Sequence, residues 1–550
     1  MYLSSEKFDY FISRLSESNN FDFIDKAKVR VYKDIYSDLL SEITKSSKQY
    51  FSSDFAKLVF IEQEFDFPSE LIQLLSDLRQ FFTNRKKEIT DDLFTELENA
   101  FNNLITFFAT DSSFVVITYP KIQKHRRKFA KVKASELISF KAVVFEKLAY
   151  HNSDKDVFKR FCEFYCEKVD LSKVKIIVKG LESEIFNQIE TGTTLYFSQF
   201  KFINESEFIN VHDSFVVLEP EIMLDVTEVA DSFNNKSSHA LINFVKKFLP
   251  NQISESLVLG NLYNTIFDEI LTNIEIEFEE AYNAALRSKP LSLFAVDKLN
   301  PEFKTTLKEK LLVFFKRVKS DFEIQIDKIY TLEPTFISPE YGLQGRLDLL
   351  IEDINFENKK DVVELKSGKS PKDQVYFKSF DGNNTNISVW HSHFAQTTAY
   401  NMLLDVNVKN RFGNSSIYYP LASSLFLRNI PNVISAKKQL IFERNKIVDL
   451  NFKVANKKFD FFNDLNESIP NVPIYNRNQV QIFYEFITYK ESILPFYLIQ
   501  MSSFIQRESL ANSLGIFTDI KQNEKRNENI VNIFDDEIDN DNIKNIILNP

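Results

Sequence analysis

The sequence predicts an α/β protein: a mixed sheet flanked by helices, preceded by a small β-barrel-like segment and a helical N-terminal domain. Three observations predict it. Apolar residues recur at three- and four-residue spacing through DKAKVRVYKDIYSDLLSEITK and DDLFTELENAFNNLITFFA, the mark of amphipathic helices. From about Lys173 the texture changes to β-rich runs, VKIIVKG, TLYFSQFKFI and DSFVVLEPEIMLDV, divided by Gly, Asn and Asp. Farther on, short strand-like runs stand among long helical ones, as in a sheet covered by helices.

Taken in order, residues 1–172 read as a helical domain. Within it, SSFVVITYPK (112–121) reads as a strand ended by proline. The basic run KIQKHRRKFAKVK (121–133) is either a solvated helix face or a contact for nucleic-acid backbone. Cys162 and Cys166, one helical turn apart in FKRFCEFYCEKVD, are either a metal pair or buried free thiols. Residues 173–230 form the barrel-like segment. Residues 231–430 form the main α/β domain, with helices in SHALINFVKKFL, ESLVLGNLYNTIFDEIL and PEFKTTLKEKLLVFFKRVKS. Strands follow over about 322–335, 343–351 and 362–366, then a helix over about 392–404 and short strands near 416–421 and 424–427. A helical region, 431–515, leads to an acidic tail, 516–550, too polar to bury a core and expected to be poorly ordered.

The composition narrows the class. A chain of 550 residues suits several domains. No apolar run is long enough to span a bilayer, and the N-terminus lacks a basic region followed by an apolar stretch, so neither a membrane nor a secretory signal is expected. Two cysteines give no disulfide framework, which suits a reduced cytoplasm. The formal charge of -11 argues against a surface coated in basic residues, yet it leaves room for a local groove that meets phosphate.

The chemistry concentrates around Asp348. Gly342 and Gly345 bracket a turn into LDLLIED, an apolar run in which an unpaired carboxylate would be costly. In the following VVELK, alternation puts Glu364 and Lys366 on one face. Antiparallel pairing would bring Asp348 beside Glu364, and a bound Mg²⁺ or Mn²⁺ would relieve their repulsion. Lys366 is placed to orient water or stabilise a crowded phosphate, and Lys369 to contact phosphate. In HSHFAQTTAY, His393, Gln396 and Tyr400 share one helical face. The plain alternative is a hairpin with surface charges and an ordinary core helix.

The set GRLDLL, VVELKSGK and HFAQTTAY resembles the motifs of the RecB-type nucleases in the PD-(D/E)XK superfamily. Within that group it is most similar to the nuclease half of the Okazaki-flap-processing nuclease–helicases and to the CRISPR-adaptation exonucleases. FVVLEPEIMLDVTEVADSF resembles the passage from barrel to nuclease there, and LGNLYNTIFDEIL the first motif helix. The resemblance covers roughly 173–430, with a weaker echo in FYLIQMSSFIQRESLANSLG. It implies a restriction-endonuclease-like sheet. It also implies Asp348, Glu364 and the Leu365 carbonyl as metal ligands, Lys366 as catalytic lysine, and Gln396, Tyr400, Arg346, Lys369 and His393 on the substrate side.

The chain departs from that pattern in three places. Asn264 stands where the motif helix usually carries a metal-binding histidine, with Asp268 one turn on. The first cluster cysteine would fall near Asn234 and Asn235, and no cysteine follows Cys166, so no iron–sulfur cluster is expected. No P-loop occurs, so no ATP site is expected; either a helicase is supplied by another polypeptide or the product is truncated. Two functional readings follow. One is a metal-dependent nuclease, exonuclease or flap endonuclease, acting on single-stranded or flapped DNA in repair, replication or defence. The other is a catalytically weak or inactive DNA-binding scaffold of a helicase complex.

Overall fold

The computed structural model describes residues 3–526 apart from segments 21–24, 84–89, 111–113, 124–135, 153–158, 170, 205, 235–236, 239, 250–253, 300, 323–326, 373, 379–383, 423–425, 466–473 and 490–492. It is mixed α/β, with several sheets among its helices and one closed barrel. No described helix is long and apolar enough to cross a membrane. The chain divides into two compact units. The first is Met1–Lys131 with Phe412–Ser416 and Ala422–Asn432; the second is Val132–Arg411, Ile417–Leu421 and Val433–Pro550.

The first unit is built on helices α1 (Ser5–Asn20), α2 (Asp25–Thr44), α3 (Asp54–Glu64), α4 (Ser69–Thr83), α5 (Asp91–Thr110) and α6 (Pro120–Gln123). On α5, Leu93, Leu97, Phe101, Leu104 and Phe108 recur at three-four spacing and are buried against Tyr32, Tyr36, Leu39 and Leu75. Ser53 starts α3 by accepting the N–H of Ala56. Residues 114–119 form no strand. Pro120 opens α6 instead of ending a strand, because its fixed φ and missing N–H suit the first helical position. The basic run beyond Gln123 lies outside the described residues.

The second unit opens with strands β1 (Leu137–His151), β2 (Phe161–Lys168), β3 (Lys173–Lys179), β4 (Thr194–Asn204), β5 (Glu207–Ile209) and β6 (Phe215–Leu218). The order β1-β2-β3-β5-β4 closes on itself because β4 also pairs β1; β6 adds to β4. This is a five-stranded Greek-key barrel. It corrects the helical reading of 137–168. Bulges in β1 between Val144 and Glu146 and between Lys147 and Ala149 break the alternation that would have signalled a strand. Cys162 and Cys166 lie on β2, where four-residue spacing also repeats a face. They point inward with Phe164, opposite Val178 and Val174, roughly 13 Å apart along the strand and too far to share an ion. Burial pushes both thiols up, so they behave as small apolar groups.

From the barrel the chain passes through β7 (Leu224–Asp225), α7 (Val226–Ala230), the short β8 (Phe233–Asn234) and β9 (Ser237–Ser238), and α8 (Ala240–Val245). Four helices follow: α9 (Glu255–Thr272), α10 (Phe278–Ser288), α11 (Pro290–Leu299) and α12 (Pro301–Asp321). Next come β10 (Lys328–Leu332), β11 (Thr335–Ser338), β12 (Leu343–Arg346), β13 (Leu349–Asp353), β14 (Lys360–Leu365), β15 (Tyr376–Lys378) and β16 (Asn384–Asn386). Then α13 (His391–Asn407), β17 (Ser415–Tyr418) and α14 (Ile434–Ala455) complete the surroundings of the site. The site sheet runs β10-β13-β14-β17, and β11-β12-β7 form a second sheet. The closing helix runs Ile493–Arg526, so residues 516–526, read from sequence as tail, continue it. The rest of the acidic tail lies outside the described residues.

Arg444 of α14 fastens the barrel to the site sheets. Its fully buried guanidinium donates to the carbonyls of Leu218, Glu219, Ile222 and Gly342. The neighbouring Asn445 pairs with the edge of β6, accepting from Leu218 N–H and donating to Val216 carbonyl. Gly342 is required there: it has φ +58°, and a Cβ on it would lie 2.2 Å from Arg444 Nη2.

Candidate active site

LQGRLDLLIED does not run as one strand. β12 ends at Arg346, and β13 begins at Leu349 in the other sheet. The neighbouring chain bends at the same level: Glu333 N–H donates to Asp348 carbonyl at 3.1 Å, and Leu347 N–H to Pro334 carbonyl at 3.0 Å. Glu333 takes φ +49°, an uncommon value for a residue with a side chain. Asp348 therefore stands at a corner, off the regular ladder. Its Oδ2 accepts the N–H of Leu365 at 2.7 Å. The register pairs Leu349 with Val363, and one further step sets Asp348 across from Glu364.

Glu364 is 2 % exposed. Its Oε1 accepts Lys366 Nζ at 2.8 Å and Gln396 Nε2 at 2.6 Å. Gln396, reaching in from α13, also accepts Lys366 Nζ on its Oε1 at 2.8 Å and donates to Tyr400 Oη at 2.9 Å. Tyr400 then donates to the Arg346 carbonyl at 2.8 Å. Gly345 permits this: a Cβ there would lie 3.0 Å from the Tyr400 ring. Glu364, Lys366, Gln396 and Tyr400 thus form one continuous network, as alternation on the strand and spacing on the helix anticipate.

Burial pushes the Glu364 carboxyl far up, Asp348 adds to this, and Lys366 opposes it. Asp348 is also raised by burial, against Lys366 and the Leu365 N–H. Burial alone would lower Lys366, but Glu364 and Asp348 outweigh it and hold the ammonium above its ordinary value. Two enclosed carboxyls thus face one ammonium, and the carboxyl in excess keeps its proton unless a further cation meets it.

The donor set fits a divalent cation. Glu364 Oε2 is buried without a hydrogen-bond partner, although Oε1 of the same group takes two donors. A bare buried carboxylate oxygen is costly unless a proton or cation meets it. In an extended strand the N–H and C=O of one residue share an edge, so the Leu365 carbonyl lies on the side where its N–H meets Asp348. Two carboxylates and a carbonyl are hard oxygen donors of the kind Mg²⁺ takes. Among the described residues no three His, Cys, Asp or Glu side chains converge on one point. The acidic side chains at this point are therefore a pair, Asp348 and Glu364.

The other expected residues are placed differently. His393 turns away from the Gln396–Tyr400 pair and hydrogen-bonds Tyr419 Oη at 2.7 Å; burial, with Lys366 adding, lowers it to about 3, so it stays neutral. Arg346 is exposed and ion-pairs with Glu333 at 2.9 Å. Lys369 is exposed, and its carbonyl accepts Trp390 Nε1. Asn264 is half-buried on α9. Asp268, one turn on, is pushed up to about 7, mainly by burial and then by Glu333 and Asp348, with Arg346 opposing. Sequence reasoning missed Glu333, for which the signal was an acid–proline pair between two strand-like runs. It also missed Asp231, which lies in the field of Lys366 and left no signal.

Residues 185–317 match the family described as DNA replication factor Dna2, a stretch running from the barrel through Asn264 and Asp268 into α12 and ending before Asp348. Among individual proteins, the DNA replication ATP-dependent helicase/nuclease dna2 of Schizosaccharomyces pombe is 23% identical over 263 residues, 43% of this chain. The match spans 17% of that relative's length. The chain therefore contains a Dna2-like region.

Proposed function

We propose that the protein is a metal-dependent nuclease that hydrolyses phosphodiester bonds of single-stranded or flapped DNA, in replication, repair or defence, with a helicase supplied in trans. Its α/β domain is read as a RecB-type PD-(D/E)XK nuclease with a restriction-endonuclease-like sheet. One observation carries the reading: Asp348, Glu364 and Lys366 are joined in an enclosed cluster with two carboxyls to one ammonium, and Glu364 Oε2 takes no donor. The similarity to a protein named as both helicase and nuclease supports it.

Asp348, Glu364 and the Leu365 carbonyl would hold Mg²⁺ or Mn²⁺; when bound, the ion polarises a phosphodiester and makes water more acidic. The chain's own groups supply the positioning. Lys366 has two donors committed, to Glu364 and Gln396, which leaves a third N–H for a phosphate oxygen or the attacking water. Tyr400 fixes Gln396, and Gln396 fixes Lys366, so the ammonium needs no reorganisation as charge develops on phosphate. Arg346 and Lys369, both exposed, suit the phosphates of the bound strand.

The test is degradation of labelled single-stranded and flapped DNA with Mg²⁺ or Mn²⁺. Wild-type protein cuts, whereas Asp348→Ala and Lys366→Ala do not; wild-type rates in both variants would sink the assignment. Asn264 in place of an imidazole favours a second reading, a weakly active or inactive scaffold. Calorimetry separates the two, because a scaffold binds DNA but takes up no Mn²⁺ at millimolar concentration.

A further inference from the structure

The segment that leaves the site, LKSGKSPK, carries a cation at every third position: Lys366, Lys369 and Lys372. The Lys366 side chain is 20 % exposed, so the enclosed cluster reaches the surface at its ammonium. Three residues of chain keep Lys369 within about 11 Å of Lys366 along the backbone. The turn between them is closed at Ser367, where a Cβ on Gly260 of α9 would lie 3.1 Å from Ser367 Oγ. It is open at Gly368, where a Cβ would meet nothing within 4 Å. Lys369 and Lys372 are exposed. Beside Lys369 stands Trp390, the single tryptophan of the chain, 40 % exposed. Its indole Nε1 donates to the Lys369 carbonyl at 2.8 Å. The next residue, His391, donates from Nε2 to the Tyr376 carbonyl at 3.1 Å, and α13 begins there. Less than two turns farther along that helix, Gln396 reaches Lys366. The tryptophan is therefore held in place where the chain leaves the site, beside the row of lysines.

We propose that Trp390 is a platform on which an unpaired base of the substrate stacks, next to the phosphate that Lys366 meets, and that this contact selects single-stranded over paired DNA. This rests on the nuclease reading above. The bonding of the ring decides what it can offer. An indole has one donor and no acceptor, and that donor is already committed to Lys369. Trp390 therefore has nothing left with which to read a base edge, and its exposed surface is the ring itself. Every base has a face to stack on such a ring, so the contact is tolerant of sequence. In a duplex both faces of an internal base are covered by its neighbours, and only an unpaired, splayed base reaches an aromatic side chain without the cost of unstacking. Because its Nε1 is pinned, the ring loses little freedom on binding. Lys369 and Lys372 supply the cations that the backbone of the same strand needs, in a chain whose formal charge is -11, and the open turn at Gly368 leaves that strand room.

With a single tryptophan in the chain, intrinsic fluorescence reports on this residue alone. The experiment titrates the full chain, in EDTA so that nothing is cut, with an oligothymidylate and with a relaxed, covalently closed duplex that presents neither an unpaired base nor an end. The oligothymidylate should quench the tryptophan emission, and the closed duplex should not. Measured by anisotropy of a labelled strand, Trp390→Ala should bind the oligothymidylate about tenfold more weakly, whereas Trp390→Phe, which still offers a ring, should stay within about threefold of wild type. Neither variant can make the bond to the Lys369 carbonyl, so affinity kept by phenylalanine and lost by alanine reports the ring rather than the bond. In cleavage of single-stranded DNA with Mg²⁺, Trp390→Ala should raise KM more than it lowers kcat. Equal quenching by the closed duplex, or wild-type affinity and KM in Trp390→Ala, would overturn the platform, and cleavage by the wild type in the same assays would leave the nuclease reading standing. No cleavage by wild type with Mg²⁺ or Mn²⁺ would overturn the nuclease reading and, with it, a platform that serves its phosphate.

Discussion

Asp348 accepts the main-chain N–H of Leu365 at 2.7 Å, so a carboxylate at the start of one strand is pinned to the end of the next. That bond needs only an oxygen, whereas the proposed chemistry needs the charge. Asp348→Asn should therefore keep the fold, with a melting temperature near wild type, and lose about 10²-fold or more in cleavage rate. A variant that melts normally and cleaves at an undiminished rate would remove Asp348 from the site.

Gln396 holds Lys366 and Glu364 at once and is itself held by Tyr400. Gln396→Ala should lower the cleavage rate by about 10²-fold, because Lys366 loses one of its two anchors. Tyr400→Phe removes a bond to the Arg346 carbonyl and should cost about 1 kcal/mol of stability, with a smaller loss of rate. Chemical denaturation and single-turnover assays on the same preparations would check the order.

Metal-free protein should lose stability as pH rises from about 6.5 to about 8. Glu364 is held up to about 8 and Asp268 to about 7, while their unfolded counterparts titrate near about 4. Across that window the folded state binds more protons than the unfolded state, so stability falls with rising pH. His393, held down to about 3, acts in the opposite sense, but only below the ordinary histidine range, so it leaves this window clear. Differential scanning of wild type and Glu364→Gln in a chelating buffer tests this. The wild-type melting temperature should fall between those pH values and the variant's should fall less; identical slopes would contradict it.

Gly342→Ala should destabilise the protein by about 3 kcal/mol or more, since the new methyl would overlap Arg444 Nη2 and crowd the Pro220 carbonyl at 2.9 Å. Gly368, where a Cβ would meet nothing within 4 Å, is the control: Gly368→Ala should stay within about 0.5 kcal/mol of wild type. Urea unfolding of the pair decides it.

The site was more legible in the sequence than the fold around it. Alternation on β14 and three-four spacing on α13 are local rules, so Glu364, Lys366, Gln396 and Tyr400 were already oriented before any tertiary contact was known. His393 obeyed the same spacing but turned to Tyr419, a partner supplied by a distant part of the chain. The barrel's first strands were hidden because two bulges disrupt the period of β1, and because the spacing of Cys162 and Cys166 fits a helix and a strand equally. The break at Leu347–Asp348 was invisible for a different reason. LQGRLDLLIED is apolar enough to read as one strand, and only the matching bend at Glu333 and Pro334 divides it between two sheets.

Arg444 bears on how such a protein can be divided. Its guanidinium draws carbonyls from β6, the strand added to the barrel, from the turn behind it and from the turn that begins β12. Separating barrel from site sheets would leave this buried guanidinium short of acceptors, at about 1.5–3 kcal/mol for each lost hydrogen bond to a charged group. Barrel and site sheets therefore travel as one piece in any chimera: replacing either alone leaves Arg444 without part of the carbonyl set that holds it.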